Sequence, residues 1–270
     1  MPELHSKYFS ASASKRWMGT TGRDGCAASC VLPQKERGDT SAADEGTMGH
    51  HFTEFTLRDR LTAGVDGDWP RYEVANYLGK MHAGWRLAEH HVQHLQGYVD
   101  FVWSLVLAGG RLYIENQVDY SEPLGVAHLE GLLRAFGTSD ALVIMPDGTL
   151  WVIDLKFGKW VVDAENNSQM LLYALGGYRR LRLIHNIKRF NLVIYQPRTA
   201  GRPDDQWACS FDRLEKFTAA ARTGAQRILE AVQAYKNDGK IPAALYSASN
   251  DNCQFCKVVK CAPRRKFGFR

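Results

Sequence analysis

The sequence predicts an α/β domain: a mixed central β-sheet flanked by helices. Three observations lead there. Helical periodicity dominates up to about residue 108, strand-like runs follow between Arg111 and Gly158, and helix, strand and helix then succeed one another to Asn237. Helices, then strands, then alternation is the order of a layered α/β sheet, not of a bundle or a sandwich.

The elements follow in chain order. The first forty residues are rich in Ser, Ala, Gly and Thr and read as loop and short helix. A helix begins near Asp44, with Met48, Phe52 and Phe55 at i, i+4 and i+7 as one apolar stripe. "DGDWPRYE" reads as a loop. A long helix is expected from His82 to Ala108, with Trp85, Ala88, Val92, Leu95, Val99, Val102 and Val106 as its buried stripe. Gly109 and Gly110 end it. "RLYIENQVDY" is a strand, and "GTSDALVIMPDGTLWVIDLKFG" is a hairpin turning at "PDG". "NNSQMLLYALGGYRRL" is helical, with Gly176 and Gly177 as a weak point or stop. "RFNLVIYQP" is a strand halted by Pro197, and "DRLEKFTAAARTGAQRILEAVQAYKN" is a helix.

Composition narrows the class. The 270 residues suffice for one large domain. The expectation is a single domain over 1–270, its core about 44–200, with flanking segments 1–43 and 240–270. Hydrophobic residues at 45% and charged residues at 23% suit a globular protein. No apolar run approaches the roughly 18 residues of a membrane span. The N-terminus lacks the apolar stretch of a secretory signal, so a reducing, cytoplasmic setting is expected. A net charge of +5 permits an acidic partner without demanding one, and the basic "PRRKFGFR" end reads as solvated.

The hairpin carries the chemistry. Residues two apart in a strand share a face, so Asp154 and Lys156 point the same way. If Pro146-Asp147-Gly148 is a three-residue loop, Met145 pairs with Thr149 and Asp140 falls opposite Asp154. Gly148 supplies the left-handed residue that such a loop wants. Two carboxylates can hold Mg²⁺ or Mn²⁺, which supplies hydroxide near neutral pH and neutralises an attacked phosphate. Lys156 can orient the nucleophile or stabilise developing charge. An ion pair across an ordinary surface hairpin satisfies the same pattern.

Other residues join this set. Gln169 and Tyr173 are four apart on one helical face, and "EGTMGH" reads as Gly46-Thr47-x-x-His50. With Gly137-Thr138-Ser139-Asp140 and Asp154-Leu155-Lys156, this series resembles the RecB-like branch of the PD-(D/E)XK nuclease superfamily, over about Asp44 to Tyr178. The resemblance implies a restriction-endonuclease-like core. It makes Asp140 and Asp154 metal carboxylates, joined by the Leu155 carbonyl and by His50. It makes Lys156 the catalytic lysine, with Gln169 and Tyr173 steadying the site and the DNA. Glu115 on the first strand is a further candidate acid, though it reads first as a plain surface glutamate, and His51 and Glu54 also read as ordinary surface groups.

Six cysteines are present. Cys253, Cys256 and Cys261 cluster near the C-terminus, but three thiols do not complete a four-thiolate site. Cys26 and Cys30 lie near the N-terminus, whereas Cys209 reads as a buried small hydrophobe. One N-terminal and three C-terminal cysteines resemble the iron–sulfur subset of the same family: AddB, the cluster-bearing CRISPR-associated nucleases and a phage-type exonuclease group. "SASASKRW" matches the opening of the phage-type group. The resemblance implies a [4Fe–4S] cluster on Cys26, Cys253, Cys256 and Cys261. Zn²⁺ is the alternative metal and Cys30 the alternative fourth ligand, because "MGTTGRDG" intervenes before Cys26 and the last spacer is one residue short.

The function implied is a metal-dependent DNA exonuclease of phage replication or recombination, working in the host cytoplasm if phage-encoded. DNA is the expected partner, with a single-strand-binding or annealing protein beside it and no membrane. The alternatives are a non-catalytic DNA-binding or scaffold protein on a nuclease fold, and a structure-selective endonuclease.

Overall fold

Two short helices, α1 (Ser14–Met18) and α2 (Ala28–Val31), flank a small hairpin of β1 (Gly19–Thr20) and β2 (Arg23–Asp24). The long α3 (Ser41–Ala63) follows, then a hairpin of β3 (Met81–His82) and β4 (Trp85–Arg86), and α4 (Glu89–Leu107). Next come β5 (Arg111–Asp119), β6 (Phe136–Ile144), β7 (Thr149–Leu155), α5 (Ser168–Leu181), β8 (Arg189–Tyr195) and β9 (Asp204–Cys209). The chain closes with α6 (Phe211–Asp238), α7 (Asn250–Cys253) and α8 (Ala262–Lys266). The computed structural model describes residues 6–20, 23–35, 40–65, 71–128, 134–254, 256–258, 261–266 and 268. Most of the loop expected at 66–73 lies outside these residues, as do Phe267, Phe269 and Arg270.

The central sheet runs β5-β6-β7-β8-β9. β7 and β8 are parallel and every other pairing is antiparallel, so the sheet is mixed as predicted. Its strands alternate between two apolar layers. Leu142, Val152, Leu192 and Ile194 face α5, α6 and the N-terminal helix α1. Ala141, Val143, Ile153, Leu155 and Val193 face α3 and α4. Each fully buried Val, Leu or Ile side chain contributes roughly 1.5–3 kcal/mol. Among the described residues no helix is long and apolar enough to cross a membrane.

Three expectations are corrected. The long helix starts at Glu89, not His82. Ala83 and Gly84 both take positive φ, 48° and 79°, and turn the chain between the paired His82 and Trp85. That is the two-residue hairpin geometry, hidden inside an apparent helical stripe. Phe55 is not in the buried stripe of α3: it is 42% exposed, and Met48, Phe52, Thr56 and Leu57 face the core instead. Gly176 and Gly177 do not stop α5, which runs on to Leu181. A Cβ on Gly176 would sit 2.8 Å from Val118 Cβ, so the glycine lets the helix lie against β5.

Candidate active site and cysteine pocket

Gly148 has φ 87° and the Met145 N–H bonds the Thr149 carbonyl at 3.0 Å, so the hairpin loop is the three-residue kind. Pairing runs from Ile144↔Leu150 to Ala141↔Ile153, and one step further sets Asp140 opposite Asp154. The Leu155 N–H donates to Asp140 Oδ2 at 2.7 Å. The same oxygen lies 3.2 Å from His50 Nδ1 on α3.

Glu115 completes this corner. It stands opposite Asp140 on β5 with φ 46°, a left-handed backbone that a glutamate rarely adopts. The alternation of β5 slips at this point. Leu112 and Ile114 face the α3–α4 layer, whereas Val118 and Tyr120 face the other. Donor atoms of His50, Glu115 and Asp140 lie within 4.8 Å of one another. The expectation of a plain surface glutamate is therefore corrected.

A second bonded group adjoins the first. Asp154 is only 2% exposed. Its Oδ2 lies 2.6 Å from Lys156 Nζ. Gln169, near the start of α5, bridges the pair: its Nε2 donates to Asp154 Oδ1 at 3.0 Å and its Oε1 accepts from Lys156 at 3.1 Å. The same Nε2 lies 3.2 Å from the Tyr173 hydroxyl. Asn167 caps α5 by accepting the Gln169 and Met170 N–H groups, which fixes where Gln169 begins. Gly137 is demanded by Tyr173: a Cβ there would sit 2.8 Å from the ring. Gly46 has nothing within 4 Å, so packing does not require a glycine there.

The charges set one another. Burial alone would lower the His50 pKa, but the adjoining Asp140 carboxylate, aided by Asp154 and Glu115, lifts it to about 9. Burial and the neighbouring Asp140 raise Glu115 to about 8 against the opposing pull of His50. Burial would raise Asp140, yet His50, the Leu155 N–H and Lys156 hold it below the usual carboxylate range. Burial would lower Lys156, but Asp154 outweighs it and keeps the ammonium charged. Hard oxygen donors with one imidazole suit Mg²⁺ or Mn²⁺. The strained Glu115 backbone, turned so that its carboxylate meets His50 and Asp140, is the kind of outlier that functional sites retain.

Cysteines from both ends of the sequence share a cavity. Cys26, Cys253, Cys256 and Cys261 line one cavity with Leu32, Tyr246, Val258 and Pro263. Cys30 does not line it. The opening "SASASKRW" segment holds Cys26 from behind the cavity lining: the Arg16 carbonyl accepts the Cys26 N–H at 2.8 Å, and Trp17 Nε1 donates to the Ser10 carbonyl at 3.0 Å. Gly25 must be a glycine, because a Cβ there would strike the Trp17 carbonyl at 1.9 Å. Burial holds the Cys26 thiol above its ordinary range, with the nearby Cys256 and Cys261 adding to it. Burial also pushes Cys30 up to about 12. Among the described residues no three of these sulfurs come within 4.8 Å of one another. Lys35 N–H to the Lys257 carbonyl at 2.8 Å, and a bridge between Gln34 and Val258, tie the two chain ends together. Cys209 is buried at the end of β9, as expected.

The family profile described as "Protein of unknown function (DUF2800)" matches residues 5–269. The chain belongs to the DUF2800 family. Among solved structures it is similar to that of a presumed exonuclease from Eubacterium rectale. The two are 11% identical, with a TM-score of 0.43 over 84% of this chain and 82% of the other.

In this DUF2800 chain the residues singled out from sequence fall into the two bonded groups, plus the cysteine cavity. His50 and Asp140 stand in the first, with the Leu155 N–H on Asp140. Asp154, Lys156, Gln169 and Tyr173 form the second. Glu115 is the residue that the sequence ranked too low, as a further acid second to a plain surface glutamate. The available signal was its place opposite Asp140 once the β5–β6 register is drawn.

Proposed function

We propose that this DUF2800 chain is a divalent-metal-dependent DNA nuclease of the RecB-like type, acting as an exonuclease, with a cysteine-held iron–sulfur cluster joining its ends in one domain. One observation carries the reading: two bonded groups adjoin at the end of β7, His50 and Glu115 with Asp140 and the Leu155 N–H, and Asp154 with Lys156, Gln169 and Tyr173. They lie at the carboxyl end of β7, beside its parallel neighbour β8, where open α/β sheets place their ligands.

His50, Glu115 and Asp140 would hold the cation, with Asp154 and the Leu155 carbonyl as further candidate donors. When bound, the cation makes hydroxide available near neutral pH and neutralises charge on the attacked phosphate. The protein's own groups do the rest. Lys156 stays an ammonium against Asp154, so it stabilises negative charge developing on the phosphate and is not a base. Gln169 holds both partners of that ion pair, which fixes the direction of Lys156 Nζ. Tyr173 supports Gln169 from below. Affinity for DNA comes mainly from Lys and Arg on phosphates and is therefore salt-sensitive.

The cysteine cavity supports the cluster. A single tetrahedral Zn²⁺ also takes four thiolates and is the alternative metal for this cavity. A four-iron cluster takes four cysteines around a larger body, and its cysteine ligands would be Cys26, Cys253, Cys256 and Cys261.

The test is nucleotide release from labelled linear DNA, single- and double-stranded, with Mg²⁺ or Mn²⁺, beside covalently closed circles. Metal-dependent loss of the linear DNA with intact circles supports the exonuclease. Nicked or linearised circles would make it an endonuclease, and binding without any cleavage would make it a scaffold.

A further inference from the structure

We propose that Trp160 is a stacking platform for the bases of a single DNA strand led to Lys156, an inference that rests on the nuclease reading. Trp160 is 77% exposed and Val161 74% exposed. In contrast, Trp17 and Trp103 are wholly buried. Such an indole in water calls for a ligand when its backbone is held in place, and this one is held. Gln196 is 4% exposed. Its Nε2 donates to the Trp160 carbonyl at 2.8 Å and its Oε1 accepts the Val162 N–H at 2.8 Å. Two residues on, the Ala164 N–H donates to Asp205 Oδ2 at 2.6 Å. The connection is thus pinned on both sides of Val161, and the two apolar side chains are presented outward.

Placement names the occupant. The connection leaves the sheet at Lys156 and rejoins the site at Gln169, so both its ends belong to the candidate active site. Gln196 follows Tyr195, whose carbonyl takes the Lys156 N–H at 2.9 Å. Trp160 is four residues from Lys156, at most roughly 14 Å of extended chain. The exposed Lys159 sits beside it for a phosphate. Two exposed side chains fall far short of the about 800 Å² per partner that a stable protein interface buries. One unstacked base, however, needs only an aromatic face of this size. Stacking is indifferent to base identity, so the platform takes any sequence. Duplex bases are already stacked on one another, so the platform selects single strands or frayed ends.

The test is fluorescence anisotropy of the full chain with a labelled oligothymidylate and a labelled blunt duplex, without divalent metal, across a salt series. Trp160→Ala is expected to weaken single-strand binding roughly 5- to 150-fold, to leave the duplex unaffected and to keep the salt slope. Trp160→Phe should restore most of the affinity, and melting should not change. In cleavage assays the KM for single strands rises and kcat holds. Wild-type affinity in Trp160→Ala overturns the proposal, as does a change of oligomeric state with DNA binding intact. A wild-type protein that binds strands through Trp160 but cleaves nothing would fell the nuclease reading and leave the platform standing.

Discussion

Lys156 Nζ lies 2.6 Å from Asp154 Oδ2, and Asp154 is 2% exposed. The pair is therefore a buried ion pair and not a surface one. Removing one partner of a buried pair costs roughly 3–5 kcal/mol, because it strands the other charge. Partial exposure of the lysine puts this case at the lower end. Asp154→Ala and Lys156→Ala should each abolish cleavage and lower stability, while the double variant loses less than the sum of the two. Urea unfolding of the three variants checks this; additive losses would mean the two charges are independent.

Metal affinity should depend steeply on pH. Without metal, His50 titrates near about 9 and Glu115 near about 8, so both hold protons at pH 7. A cation expels those protons, so affinity climbs from pH 7 to 9 and levels above. Both folded pKa values are raised above their unfolded values. Their stabilising contributions are thus present at low pH and lost as pH rises, Glu115's between about 4.5 and 8 and His50's between about 6.5 and 9. Titration calorimetry in buffers of different ionisation heat counts the protons; Mn²⁺ binding that ignores pH over this range would sink the three-donor site.

Two glycines of the family-like motifs should behave oppositely. Gly137→Ala drives a methyl into the Tyr173 ring and should cost about 1–3 kcal/mol and slow cleavage. Gly46→Ala sits in open space within α3 and should add about 0.5–1 kcal/mol. Thermal melting separates them, and a destabilised Gly46→Ala would reveal a constraint on α3 beyond packing.

Cys26, Cys253, Cys256 and Cys261 share a cavity and Cys30 does not. If they share a cluster, it closes a loop of more than two hundred residues, for which the corresponding disulfide estimate is about 5 kcal/mol. Cys26→Ala and Cys256→Ala should both give poorly soluble, low-melting protein, and Cys30→Ala should be near silent. Protein purified without oxygen should be brown, with iron and sulfide. A colourless, zinc-loaded preparation would replace the cluster with zinc and keep the clamp.

The hairpin was readable because its signals are local. A period of two and the glycine of a three-residue loop set the register that places Asp140 opposite Asp154. Helices α5 and α6 were readable as segments, "NNSQMLLYALGGYRRL" and "DRLEKFTAAARTGAQRILEAVQAYKN". What escaped depends on distant parts of the chain. The Ala83-Gly84 turn hides in an apolar stripe that also suits a helix. Gly176 looks like a helix breaker until β5 is laid against it. Glu115 looks like any strand glutamate until a positive φ and the approach of α3 turn it toward Asp140 and His50. Cys26 and Cys30 are distinguished only by which of them the folded chain end reaches.

The central claim is that this site hydrolyses DNA with a divalent cation. Its most direct test is a time course on end-labelled linear DNA with Mn²⁺, comparing the wild-type protein with Asp154→Asn and Asp140→Asn at matched folded concentration. The account predicts metal-dependent release of nucleotides by the wild-type protein and a loss of at least about a hundredfold, on the order of 2.7 kcal/mol in the barrier, in each variant. Equal cleavage by all three proteins, or none by the wild-type protein with either Mg²⁺ or Mn²⁺, would contradict it.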